Sequence, residues 1–246
     1  MTDIISMVPR RRVLAFASLA TLTASWGQSL LAAAAPLKIA TIGAGRMGGA
    51  LGTAFAKAGH QVMFSSRKPE ELKDLVTAAG PNARAGTVQE AAAFGDVVVL
   101  VVPYGAMPEV ARDVGKVLAT KALVFDVSNP QPQRDGDIGV KALEQGPGEY
   151  LMQLMPGVRI VRGFNSTNWN SIPKPTRPDG GKLGVAIAGD DPKGLEIAQG
   201  LAREIGFDPV VVGPLSVGKY LYRPSTFFNG SQSADEIRQI APQLKK

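Results

Sequence analysis

The 246-residue sequence predicts an α/β fold, a doubly wound parallel sheet with a small C-terminal α/β extension, on three observations. An apolar run, Leu37-Lys38-Ile39-Ala40-Thr41-Ile42, stops at a glycine turn and reopens as an alanine-rich helix over 48–58. A second run, Asp96-Val97-Val98-Val99-Leu100-Val101-Val102, is apolar without alternation, as a strand covered on both faces must be. Between and after them, short strand-like runs alternate with helical patterns, which gives crossover connections rather than hairpins.

The turn Gly43-Ala44-Gly45-Arg46-Met47-Gly48 has the spacing Gly-x-Gly-x-x-Gly. Gly43 allows a tight strand exit, Gly45 leaves room for a phosphate, and Gly48 lets helix pack on strand. The first N–H groups of the helix then face an anion. Glycine-rich turns are common, but here a strand precedes and a helix follows, which is the context of a Rossmann NAD(P)-binding fold.

The second strand, 61–64, leads into Ser65-Ser66-Arg67-Lys68-Pro69. An acid at this corner would accept from a ribose 2′-hydroxyl; small hydroxyls and cations suit a 2′-phosphate. The corner has no acid, so Ser66, Arg67 and Lys68 point to NADP, Arg67 as a planar fork and Lys68 as a mobile charge. A helix over 70–79, a short strand at 83–85 and a helix over 87–94 come next. Residues 96–102 are the fourth, central strand, whose carboxyl end, Val102-Pro103-Tyr104, borders the crevice where ligands bind. Tyr104 there either stacks on a ring or closes the loop.

A helix over 107–118 and a strand over 122–127 precede a proline- and glycine-rich segment, 128–148, read as the long loop of the chain and as a covering flap or linker. A short helix over 149–155 and a sixth strand at 159–161 follow, with Gly163-Phe164-Asn165-Ser166-Thr167 as a loop that faces the nicotinamide. After a second loop, 173–181, come a strand at 184–188, a helix opened by Asp191 as cap and Pro192 as first residue, and a strand at 209–212. The aromatics of the tail read as core.

Composition excludes much. There is no cysteine, which removes disulfides and thiolate chemistry, and one histidine, which removes histidine-rich metal sites. His60 sits at the end of the sheet away from the glycine turn and reads as structural. Of the net charge of +6, Arg10, Arg11 and Arg12 against Asp3 supply two, leaving +4 from residue 35 onward. That mild excess, without a basic run interleaved with aromatics, fits anionic ligands and not nucleic acid.

Residues 1–34 combine the arginine cluster, a diluted apolar stretch and the run Ala32-Ala33-Ala34. This is the layout of a signal peptide of twin-arginine type, cleaved near Ala34, with a periplasmic or extracellular product and no stable membrane span after cleavage. Residues 35–246 are then the NADP-binding domain, with 182–246 as its extension.

The glycine turn, the corner Ser65-Ser66-Arg67-Lys68, the strand end Val102-Pro103-Tyr104, the loop Gly163-Phe164-Asn165-Ser166 and the segment Ala188-Gly189-Asp190-Asp191 occur in one order. Together they resemble the NADP oxidoreductase family that depends on the deazaflavin coenzyme F-420; a related reductase domain occurs in membrane metalloreductases. The resemblance implies hydride transfer between NADP(H) and a planar deazaflavin or flavin co-substrate, without a protein acid or base, and a homodimer is the assembly considered. Asn165 stands where this family often has histidine. Two alternatives stay open: an NADP-binding protein without turnover, and a hydroxyacid or imine reductase, which usually needs a long helical second domain.

Overall fold

The computed structural model describes residues 35–222, 225 and 227–244, within one compact unit, Ala35–Lys246. The expected signal peptide lies outside the described residues. Eight strands make one sheet: β1 (Lys38–Ile42), β2 (Gln61–Ser65), β3 (Ala83–Gly86), β4 (Val97–Leu100), β5 (Leu123–Asp126), β6 (Ile160–Gly163), β7 (Gly184–Gly189) and β8 (Asp208–Gly213), in the order β3-β2-β1-β4-β5-β6-β7-β8. The order reverses between β1 and β4, the switch point at which such sheets open a crevice. All pairings are parallel except β6 with β7, so β7 and β8 run against the other six. The sheet is therefore mixed where sequence predicts a parallel one, because the connection from β6 to β7 stays on one end of the sheet instead of crossing over as a helix.

The helices are α1 (Arg46–Lys57), α2 (Lys73–Ala79), α3 (Val88–Phe94), α4 (Met107–Leu118), α5 (Pro132–Gln145), α6 (Pro147–Leu154), α7 (Pro192–Glu204) and α8 (Ala234–Ile240). They cover both faces. Val97 and Val99 of β4 pack with Leu51 and Phe55 of α1, while Val98 and Leu100 pack with Met107, Val114 and Leu118 of α4. This is why β4 carries no polar residue. In the extension, Ala186, Ala188, Val210 and Val212 pack against Phe228, Ala234 and Ile237.

Two segments differ from the sequence reading. The expected helix 70–79 begins as a 3-10 turn, Pro69–Leu72, before α2. The expected long loop 128–148 is mostly helix. Pro132 and Pro147 each occupy a first helical turn, where a missing N–H costs nothing, instead of breaking a helix. Gly136 (φ +56°) kinks α5 and Gly146 (φ +93°) separates it from α6. Ala142, Tyr150 and Leu151 bury these helices on the sheet, so the segment is a wall, not a flap.

His60 is buried, its Nδ1 accepting the Leu37 N–H at 3.1 Å and its Nε2 lying 2.5 Å from the Glu204 carboxylate. It ties the start of β1 to the end of α7, the structural role expected of it.

Candidate active site

The crevice has two parts that share the wall Val102-Pro103. One is a cleft of about 600 Å³ at the carboxyl ends of β1, β2 and β4. Its floor is the glycine turn. At Gly43 (φ +102°) a Cβ would run into the Val101 carbonyl, and at Gly48 into the Gly43 carbonyl, so both are required by backbone approach. At Gly45 a Cβ would meet nothing within 4 Å: the turn is open on that side. Gly45 caps α1 without a side-chain hydrogen bond, and the first turn holds no acid, which leaves the helix N-terminus suited to an anion. Ser65 accepts the Gly43 N–H at 3.4 Å and so braces the turn from below.

Ser66 and Arg67 line the same cleft. Arg67 is exposed, and no acid pairs with it among the described residues. Lys68 differs from expectation: its ammonium is held 2.8 Å from Glu71 and does not line the cleft. Its backbone N–H is bonded to the Ser66 hydroxyl at 3.1 Å, so the corner is a polar turn with one free cation, Arg67. Glu109 and Asp113 of α4 also line the cleft, which the sequence reading missed.

The second part is a cavity of about 220 Å³ lined by Met47, Val102 and Pro103, by Ser128, Asn129 and Arg134 beyond β5, and by Phe164, Asn165 and Thr167 beyond β6. Phe164 has φ +62°, rare for a residue with a bulky side chain, and its ring is locked between Phe125 (5.6 Å) and Phe207 (5.1 Å). Such a conformation costs about 1–3 kcal/mol and persists where packing enforces it. It turns the chain so that Asn165 is buried, its Nδ2 donating to the carbonyls of Asp126 (3.3 Å) and Ser128 (3.0 Å).

Behind this cavity lies a cluster that sequence reasoning missed. Arg162 is fully buried, its guanidinium bonded to the Asp126 carboxylate, to the Tyr104 hydroxyl (2.8 Å) and to the Ser128 carbonyl (3.1 Å). Burial pushes the Tyr104 hydroxyl well above its ordinary value, so it stays protonated, and it donates to the Pro147 carbonyl at 3.1 Å. Burial also drives the Asp126 carboxyl up, against the pull of Arg162 and of the Ser128 N–H at 2.9 Å. Burial works against the Arg162 charge as well, but Asp126 and Tyr104 raise it overall.

Two site expectations are corrected here. Tyr104 does not border the crevice: it is wholly buried, because its hydroxyl completes the Arg162 cluster. Gly163 faces the sheet interior, where a Cβ would lie 2.8 Å from the Phe125 ring, so it is small for packing and not for a ligand. Arg46 lines a third, mainly apolar hollow of about 850 Å³ on the outer face of α1, where its guanidinium lies 5.8 Å from the Trp169 ring, while Ala44 borders both that hollow and the 600 Å³ cleft. The missed Asp126 and Arg162 had one signal: each is the lone charge near the carboxyl end of an otherwise apolar strand, Leu-Val-Phe-Asp and Ile-Val-Arg-Gly. Among the described residues, no group of three His, Asp or Glu side chains could hold a metal ion, and no helix is long and apolar enough to cross a membrane.

Residues 38–130 match the family described as NADP oxidoreductase, coenzyme F420-dependent. The chain is similar to the metalloreductase STEAP3 of Rattus norvegicus, 28% identical over 179 residues, 73% of this chain and 34% of that protein; it thus spans about a third of that relative. Among solved structures it resembles a proposed F420-dependent NADP-reductase from Arthrobacter sp. FB24, with TM-score 0.61 and 23% identity over 74% of this chain and 87% of that one. It also resembles an imine reductase from Myxococcus stipitatus in complex with NADP+, with TM-score 0.55 and 19% identity over 85% of this chain and 61% of that one. At these identities the structures show a shared fold. The matched segment, residues 38–130, holds the glycine turn, the β2 corner and the central strand end, and over it the chain is similar to that NADP oxidoreductase family.

Proposed function

We propose that the protein is an NADP-dependent oxidoreductase that passes hydride between NADP(H) and a planar deazaflavin or flavin. The observation that carries the reading is the cleft itself: an open Gly45 at the start of α1 and an unpaired Arg67 at the end of β2, in one continuous wall. The residues present fit a phosphorylated dinucleotide. The N–H groups that open α1 would bind the pyrophosphate, Ser66 and Arg67 the 2′-phosphate, and Val102 and Pro103 would wall the inner ribose and ring. When bound, NADPH supplies a hydride. The side chains around the smaller cavity contribute position and exclusion of water, since the titratable groups behind it, Asp126, Arg162 and Tyr104, are sealed from it and engaged with one another. Orientation of two rings at near-attack distance can supply a large part of such a rate.

Calorimetric titration of the full chain with NADP+ and NAD+ tests the nucleotide assignment. NADP+ should bind at least about tenfold more tightly, the worth of one charge-assisted contact. Equal affinities would overturn it.

The reading includes export through the twin-arginine layout of residues 1–34, and a homodimer as the assembly. Replacing Arg10, Arg11 and Arg12 by lysine should leave unprocessed precursor in the cytoplasm, and normal processing would contradict export by that route. Light scattering of the mature chain reads the assembly.

A further inference from the structure

The cavity beyond β5 and β6 contains two hydrogen-bond acceptors with no donor. The side-chain carbonyl oxygens of Asn129 and Asn165 are both buried and without a partner, and both residues line the 220 Å³ space next to Met47 and Pro103. Their orientation is fixed by what the other end of each amide does. Asn165 Nδ2 donates to two carbonyls, and Asn129 Nδ2 donates to the Asn165 backbone carbonyl at 2.7 Å, so rotating either amide would set oxygen against oxygen. The same bond makes the two residues immediate neighbours. Arg134, the cation nearest this wall, does not supply the missing donors: its Nε and Nη2 are committed to Asp135, and Nη2 also to the Asn129 backbone carbonyl, at 2.8 Å each.

Buried acceptors that no protein donor reaches are costly, so these two call for donors from outside the chain. The strained Phe164 backbone that delivers Asn165 to this place is a second cost carried at the same spot. A group that satisfies two adjacent acceptors from one atom is a primary amide nitrogen, which has two N–H bonds in a plane. We infer that Asn129 and Asn165 are positioning residues that receive the carboxamide nitrogen of the nicotinamide and so fix which face of the ring is presented to the acceptor. The inference rests on the nucleotide reading above. It adds Asn129, a residue whose type and place in a loop give no sign of a role in the sequence.

The test compares three titrants on the full chain: NADP+, its 3-acetylpyridine analogue, which keeps the ring and loses both N–H bonds, and 2′-phospho-ADP-ribose, which lacks the ring. Wild-type protein should prefer NADP+ to the acetylpyridine analogue by about tenfold or more. Asn129→Leu should reduce that preference to about twofold or less while leaving 2′-phospho-ADP-ribose binding as in wild type, which also shows that the variant is folded. Asn165→Ser, with its thermal melt recorded, should do the same. Equal wild-type affinity for NADP+ and the analogue would overturn the inference with no variant needed, and so would a preference that survives Asn129→Leu. If wild type binds neither NADP+ nor 2′-phospho-ADP-ribose, the nucleotide reading itself has failed, an outcome distinct from loss of the carboxamide assignment alone.

Discussion

The two parts of the crevice are built on different principles. The part we assign to the phosphates is made mostly of backbone, three glycines and a helix N-terminus, with one exposed arginine, all within residues 43–67. The part we assign to the ring is held by side chains far apart in sequence, with Tyr104 and Arg162 behind it separated by 58 positions and Asn129 and Asn165 on its wall by 36. A phosphate site needs only that nothing obstruct and that N–H groups point outward. A ring site needs depth and orientation, and here these come from the buried Asp126–Arg162–Tyr104 cluster that fixes the ends of β5 and β6. The two parts should therefore fail differently.

The largest contrast is expected from Arg162→Met. Leaving Asp126 buried without its partner should cost about 3–5 kcal/mol of stability, measured by urea unfolding, whereas Asp126→Leu with Arg162→Met should recover most of it, since removing both charges removes the desolvation penalty. Folded Arg162→Met protein should still bind 2′-phospho-ADP-ribose as wild type does. Loss of that binding in the folded variant would show that the two parts are not independent.

Arg67→Ala probes the opposite half. Losing a charge-assisted contact should cost about 1.5–3 kcal/mol in NADP+ affinity, roughly tenfold to over a hundredfold, with NAD+ affinity and thermal stability unchanged because Arg67 is exposed and unpaired. Equal weakening for both nucleotides would mean that Arg67 does not read the 2′-phosphate.

The smallest effect lies outside both parts and serves as their control. The Ser233 N–H and the Arg177 guanidinium lower the Glu236 carboxyl from 4.5 to about 2. A depressed carboxyl contributes stability above its ordinary value that is lost as pH falls through the depressed one, so the cap of α8 should loosen between about pH 4.5 and pH 2. Hydrogen exchange at the α8 amides reads this, and Glu236→Gln should remove the pH dependence. Loosening of the glycine turn in the same range would break the separation.

Legibility in the sequence followed the same division. The glycine turn, the apolar β4 and the Asp191-Pro192 start of α7 could be read because each is a local pattern whose physics is contained in a few consecutive residues. The region 128–148 could not, because proline at a first helical turn and proline in a loop look alike until the buried faces of α5 and α6 are known. Strand-end position alone puts Tyr104 and Gly163 at the crevice in the sequence reading. Position along a strand does not say which way a residue faces: the Tyr104 side chain turns inward to Arg162, and the Cβ position of Gly163 faces Phe125. Asp126 and Arg162 escape the sequence reading: each is a lone charge in an otherwise apolar strand, and their pairing joins positions 36 residues apart and appears only with the geometry.

The central claim is that NADPH held in this crevice gives hydride to a planar acceptor. Anaerobic stopped-flow mixing of NADPH-loaded protein with a deazaflavin or a flavin tests it most directly, with NADPH deuterated at the transferring position alongside. The account predicts reduction of the acceptor by bound NADPH, slowed by the deuterium. Tight NADPH binding with no reduction of either acceptor would contradict it and leave a nucleotide-binding protein without turnover.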